Sequence, residues 1–237
     1  MVCTIFQQVN SGHQVVRIGY ILFFRPYSVR IGEMHGRLLL PILAAFALVG
    51  CGEKPVSRTR NIADNFKDDA PTNATLTREF PSAFIDKDGK RVDLKQYRGK
   101  KSVVLVVLRG VPQGVGGAFC LGCLAQMSSL LAKQDEIAKR DAEVVILFPG
   151  PSDTLDQFLD QARNQTEGSP VLPFTLVLDK DFAITDQLDI RGDLAKPSTY
   201  ILDKKGDLVY AYVGVSFTDR PSIKALLAQL DKIQNAK

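Results

Sequence analysis

The chain has 237 residues, a formal net charge of +4, four cysteines and two histidines. The charge is mild and includes no basic block, so nucleic acid is not an expected partner. Metal and haem are also excluded: a structural zinc needs about four Cys or His ligands, haem attachment needs a histidine where Leu124 stands, and Cys3, His13 and His35 fall in a leader expected to be absent from the working protein. No cofactor is expected.

In chain order, Met34 to Gly52 reads as a short basic region around Arg37, an apolar stretch Leu38 to Val49, and small residues at a cleavage point. That is the pattern of a signal peptide, and the stretch is shorter than the roughly 20 residues of a membrane-spanning helix. Leu48, Val49, Gly50 and Cys51 resemble the lipobox of bacterial lipoproteins. The resemblance implies that Cys51 is lipidated and becomes the mature N-terminus, which anchors the protein to a membrane on the extracytoplasmic, periplasmic side. Residues 1–33 do not fit this scheme, because they add a second apolar patch around Ile18 to Phe24 with arginines scattered through it; the expected start is Met34. Residues 34–50 are then the lipoprotein signal peptide, and 51–79 a lipidated, polar, flexible tether. Residues 80–237 are one folded domain.

Within that domain, Phe84 to Leu94 holds the turn Asp86, Lys87, Asp88, Gly89 between short apolar stretches, which predicts an N-terminal β-hairpin. Val103 to Leu108 is six consecutive aliphatic residues, the pattern of a strand buried on both faces. The loop Arg109 to Phe119 is too glycine-rich for helix or strand. Leu124, Met127, Leu130, Leu131 and Ile137 then recur at helical steps, predicting one helix from Leu121 to about Arg140. A second strand is expected at Val144 to Phe148, and a helix capped by Ser152 or Asp153 with Leu155, Phe158, Leu159 and Ala162 inward. Phe174 to Leu178 reads as strand and Asp181 to Leu188 as a short helix. Thr199 to Leu202 and Leu208 to Val213 flank a turn and form a hairpin, and Pro221 opens a last helix lined by Ile223, Leu226, Leu227, Leu230 and Ile233. The fold class is α/β: a mixed sheet flanked by helices.

The most informative chemistry is the pair Cys120 and Cys123 at the start of the first long helix. Unpaired N–H groups and the helix dipole favour a thiolate there, and cysteine pKa values fall in such places to roughly 3.5–7.5. Three residues on, less than one turn away, Cys123 lies within disulfide reach. Cys120 is therefore the expected attacking thiolate and Cys123 the resolving thiol. A closed structural disulfide, or two inert thiols, remain the plainer readings. Gly114 and Gly116 are similar to the start of a dinucleotide-binding turn, but Phe119 occupies the third glycine position and a cysteine the phosphate-binding helix start.

The element order with a CxxC opening the first long helix resembles the thioredoxin-like superfamily. Lys196 to Asp203 followed by Lys204, Lys205 and Gly206 is similar to the proline-strand-turn segment of redoxins, and Asp88, Gly89, Lys90 with Leu94 and Arg98, Gly99, Lys100 is similar to the first hairpin of the alkyl hydroperoxide reductase and thiol-specific antioxidant branch. Arg109, Gly110, Phe119, Cys120, Cys123 and Gln126 resemble a redoxin subgroup with an extended loop before its CxxC. The resemblance implies a cis Pro197 beside the cysteine pair, although the residues alone favour an ordinary trans proline. It also brings Lys196, Arg109 and Phe119 close to the substrate.

Two enzymatic readings compete. The main expectation is a membrane-anchored thiol-disulfide oxidoreductase working through a mixed disulfide on Cys120, with protein or small-molecule thiols and disulfides as partners. The alternative is a peroxiredoxin-type peroxidase acting on peroxides. By resemblance a peroxidase has Thr or Ser three residues before its cysteine and proline seven before, where this chain has Gly117 and Gln113 with Pro112 out of register. It also wants a cation near the thiolate, for which Arg109, Arg191 and Lys196 are candidates. A third reading is non-catalytic: a lipoprotein binding module with a structural disulfide.

Overall fold

The computed structural model describes residues 62–111, 119–165 and 172–236. The leader, the lipobox with Cys51, and the loop positions Pro112, Gln113 and Gly117 lie outside the described residues.

Seven strands form one sheet: β1 (Ala83–Asp86), β2 (Arg91–Asp93), β3 (Ser102–Val107), β4 (Ala142–Pro149), β5 (Thr175–Asp179), β6 (Ser198–Leu202) and β7 (Leu208–Val213), in the spatial order β2-β1-β5-β4-β3-β6-β7. The centre, β3-β4-β5, is parallel, and β1 and β6 add to it antiparallel. β3 explains the double cover. Its residues alternate between faces, so Val104, Val106 and Leu108 enter one core while Val103, Leu105 and Val107 enter the other. All are buried, which is why the run from Val103 to Leu108 is aliphatic without a polar break.

The first core is closed by the helices α1 (Leu121–Ala132), α2 (Gln134–Ala138), α3 (Ser152–Gln165) and α5 (Ile223–Asn235), through Leu124, Met127, Leu155, Phe158, Leu226 and Leu230 among others. The second is closed by the hairpin, the turn Leu94–Tyr97 and residues beside α4 (Ala183–Gln187), including Leu188 and Ile190. The predicted mixed sheet with its N-terminal hairpin and flanking helices is thus the architecture observed.

Three expectations differ. The single helix Leu121 to Arg140 is two: Lys133 leaves helical geometry (φ −124°, ψ 16°), and the chain turns before Ile137 re-enters the same core. Pro221 precedes the last helix rather than opening it, because Ser222 is the cap and its Oγ accepts from the Ala225 N–H at 3.2 Å. The stretch 51–79, expected as tether, is docked through much of its described part, from residue 62 on. Phe66 and Ala70 are buried, the Tyr210 hydroxyl donates to the Ala70 carbonyl at 2.9 Å, and the Asn73 amide bonds both peptide groups of Val213. The segment covers the outer edge of β7, where backbone groups would otherwise lack partners. The folded domain therefore starts well before Phe80.

Candidate active site

Cys120 is the N-cap of α1. Its carbonyl accepts from the Cys123 and Leu124 N–H groups at 2.9 and 3.1 Å, and its Sγ lies 3.4 Å from the Cys123 N–H. The sulfur thus stands where a capping oxygen would, on the donor end of the helix. Phe119 fixes the approach: it is buried, and its ring meets Phe158 edge to face at 5.8 Å. Cys123, one turn in, is 1% exposed. Its Sγ accepts from the Arg109 backbone N–H at 3.4 Å.

A third residue completes the site. Arg220 is 1% exposed, and one of its terminal nitrogens lies 3.2 Å from Cys123 Sγ and 3.7 Å from Cys120 Sγ. Burying a guanidinium is costly unless its donors are met. Here the Phe217 carbonyl accepts from Nε at 2.8 Å, the Gln126 side chain accepts from one terminal nitrogen, and the two sulfurs face the other.

The two thiols are pushed apart. The Cys123 S–H donates to Cys120 Sγ, and this bond, with the charge of Arg220 and the Cys123 N–H, outweighs burial and brings the Cys120 thiol down to about 6. Burial pushes Cys123 well up, and donating to Cys120 raises it further. At neutral pH the pair is a thiolate beside a protonated thiol, the arrangement in which one sulfur attacks and the other waits. Among the described residues no group of three or more His, Cys, Asp or Glu side chains could hold a metal ion.

Glycines let the Arg220 loop reach the sulfurs. A Cβ on Gly122, between the cysteines, would overlap the Phe217 carbonyl oxygen, and one on Gly214 would overlap that of Asp219. The loop 214–220 therefore folds tightly and lies directly on the start of α1.

The profile of the AhpC/TSA family matches residues 67–211, from the docked segment to β7. The chain belongs to the AhpC/TSA family. It is thereby a thiol-dependent oxidoreductase. The chloroplastic peroxiredoxin Q of wheat, Triticum aestivum, is 28% identical over 174 residues, 71% of this chain and 69% of the relative. Solved structures share the fold: peroxiredoxin 6 of Arenicola marina superposes with a TM-score of 0.58 at 13% identity, covering 70% of this chain and 76% of that one. The mitochondrial 2-Cys peroxiredoxin of Plasmodium falciparum gives 0.53 at 16% identity, covering 68% and 95%.

The expected site residues of this AhpC/TSA protein sort into three groups. Cys120, Cys123, Phe119 and Arg109 come together, Arg109 through its peptide N–H and its charge. Pro197 is buried at the start of β6 with a trans peptide bond, and its carbonyl accepts from the Gly214 N–H at 2.8 Å, so it abuts the Arg220 loop. Lys196 is exposed, and Arg191 pairs with Asp186 at 2.8 Å over the Phe182 ring. The cation within bonding distance of the thiolate is Arg220, which joins the expected Arg109 there. The signal of Arg220 in the sequence was faint: an arginine in a short polar loop reads as solvated, and only a proline next to it hinted at fixed backbone.

Proposed function

We propose that the protein is a thiol peroxidase in which Cys120 is the peroxidatic cysteine and Cys123 the resolving one. The observation that carries this reading is the buried Arg220 guanidinium beside an already favoured Cys120 thiolate, in a chain of the AhpC/TSA family. The peroxiredoxin relatives support it. Disulfide exchange, the main expectation from the sequence, becomes the second half of the same cycle.

The Cys120 thiolate attacks one peroxide oxygen and the O–O bond breaks. The leaving alkoxide or hydroxide takes a proton and departs as alcohol or water, leaving Cys120 as sulfenic acid. A cation that can donate to the peroxide oxygens steadies the charge passing onto the leaving oxygen. Cys123 then attacks the Cys120 sulfur, its proton leaving with the hydroxyl as water, and the two form a disulfide. An external dithiol reduces that disulfide by exchange at Cys120, the more accessible sulfur, and is itself oxidised. The partners are therefore peroxides and a thiol reductant.

Peroxide consumption with dithiothreitol as reductant tests the reading. Cys120→Ser should abolish turnover, and Cys123→Ser with dithiothreitol withheld, since a dithiol would itself reduce a sulfenic acid, should consume one equivalent of peroxide and leave a Cys120 sulfenic acid that dimedone traps. Disulfide reduction by the wild type without any peroxide consumption would reject peroxidase chemistry in favour of an exchanger.

We also propose that the domain works at a membrane surface on the extracytoplasmic side, tethered through lipidated Cys51. The lipobox-like run supports this, and no helix among the described residues is long and apolar enough to cross a membrane itself. Mass spectrometry of the mature N-terminus tests it: a diacylglyceryl-modified Cys51 is expected, and an unprocessed start at Met1 would overturn it.

A further inference from the structure

Arg220 is held from behind as well as from the front. Residue 67, in the docked segment, forms an isolated parallel bridge with Pro221: the Lys67 N–H donates to the Arg220 carbonyl at 2.8 Å, and its carbonyl accepts from the Ser222 N–H at 2.8 Å. Its side chain turns to the other flank of Arg220. The Lys67 ammonium lies 2.7 Å from Asp219 Oδ1, which also accepts from the Tyr212 hydroxyl at 2.7 Å. The second Asp219 oxygen accepts from the Val215 N–H at 2.8 Å and closes the loop on itself.

We propose that Lys67 is a positioning residue for Arg220: its peptide brackets Pro221 on one side of the arginine, its ammonium pins Asp219 on the other, and together they fix the guanidinium on the two sulfurs. The loop needs such a fastening, because Val215 is 89% exposed and Phe217 44% exposed, so little of its apolar surface ties it to the core. A guanidinium whose loop loosens returns to water, where its hydration is fully recovered. Lys67 itself touches neither thiol. Its ammonium faces Asp219 and the Tyr212 ring, 5.7 Å to the centroid, while the guanidinium faces Phe217, Gln126 and the sulfurs. The N-terminal segment, which continues toward the expected lipid anchor, thereby becomes part of the thiol site.

The inference rests on the proposed function only in taking Cys120 as the reactive thiolate, and its test does not use peroxide. In the full-length reduced protein, thiolate absorbance at 240 nm is followed against pH. Lys67→Met should move the first thiol midpoint up by about half a unit to one unit, roughly three- to tenfold less thiolate below the midpoint. Lys67→Arg, which keeps the ion pair, should stay with the wild type. In an Arg220→Met background Lys67→Met should add no further shift. An unchanged titration in Lys67→Met, or the same shift with Arg220 already removed, would overturn the proposal. Asp219→Asn should reproduce Lys67→Met, and it decides the matter in the same way should that variant fail to fold. Absence of peroxide turnover in the wild type would reject the peroxidase reading and leave the titration result standing.

Discussion

One terminal nitrogen of Arg220 stands 3.7 Å from the sulfur of Cys120, a residue 100 positions earlier in the chain. The same nitrogen is 3.2 Å from Cys123 Sγ. In the proposed cycle a single cation thus steadies whichever sulfur carries charge, the attacking thiolate first and the leaving thiolate when the disulfide is reopened. An opposite charge at this range lowers an acid's pKa by about 1–3 units. Arg220→Met should therefore raise the Cys120 midpoint by about 1 to 2 units and slow its alkylation by iodoacetamide at pH 6.5 by about three- to 25-fold. Arg220→Lys, which cannot meet Phe217, Gln126 and both sulfurs with one planar fork, should recover only part of the loss. Equal alkylation rates in wild type and Arg220→Met would show that the Cys123 thiol and the helix N-terminus make the thiolate without Arg220.

Gly122 connects a sequence detail to that geometry. Placed between the cysteines, it leaves room for the Phe217 carbonyl, whose oxygen also accepts from Arg220 Nε. Gly122→Ala should push the loop away, costing about 1–3 kcal/mol of stability by overpacking and lowering Cys120 reactivity with it. Trimming the neighbour does not help, because the obstacle is backbone: Gly122→Ala with Phe217→Ala should remain as impaired as Gly122→Ala alone. Chemical denaturation and alkylation rates on the three proteins check this.

The parts of this site written in local pattern were legible, and those requiring distant approach were not. The aliphatic run at β3, the turn at Asp86 to Gly89 and the helical spacing after Cys120 carry their structure in short windows, and so the Cys120 helix start and a second thiol within one turn of it followed. Arg220 reaches the sulfurs only because a loop from the far end of the sheet folds over α1, which no local window records. Lys67 and Asn73 misled for the opposite reason. Their polar setting resembles a tether, yet they bond the backbone of the Arg220 loop and of β7, which needs hydrogen bonds rather than apolar periodicity.

Asp179 offers a test of the scaffold away from the thiols. Buried at the end of β5, it accepts from the Ile184 and Thr185 N–H groups at 3.0 and 2.8 Å and from the Thr185 hydroxyl, so it caps α4. Phe182, which precedes that helix in the left-handed region at φ 59°, depends on this hold. Asp179→Ala leaves buried donors unmet and should cost about 1–3 kcal/mol. The Cys120 midpoint should not move. A thermal melt and a thiolate titration of the same variant separate the two effects, and a shifted midpoint would show that the α4 side of the sheet is coupled to the site.

The thiol pair also makes a prediction about stability against pH. In the folded protein the Cys120 thiol titrates at about 6, below its ordinary value of 9.0. Between these two values the unfolded chain binds more protons than the folded one, so the stability of the reduced protein rises with pH across that window. The contribution is complete above the ordinary thiol value and is lost as pH falls through about 6. Cys123 is shifted the other way; its contribution is present below the ordinary thiol value and lost above it, so the rise should end near pH 9. The background is quiet, because the only histidines are His13 and His35, far upstream of the domain. Urea midpoints measured from pH 5 to 9 under reducing conditions should climb through the window in the wild type and stay nearly level in Cys120→Ser. The oxidised protein, with both sulfurs in a disulfide, should lose the climb as well. A level curve for the reduced wild type would mean that Cys120 is not held as a thiolate by the folded state.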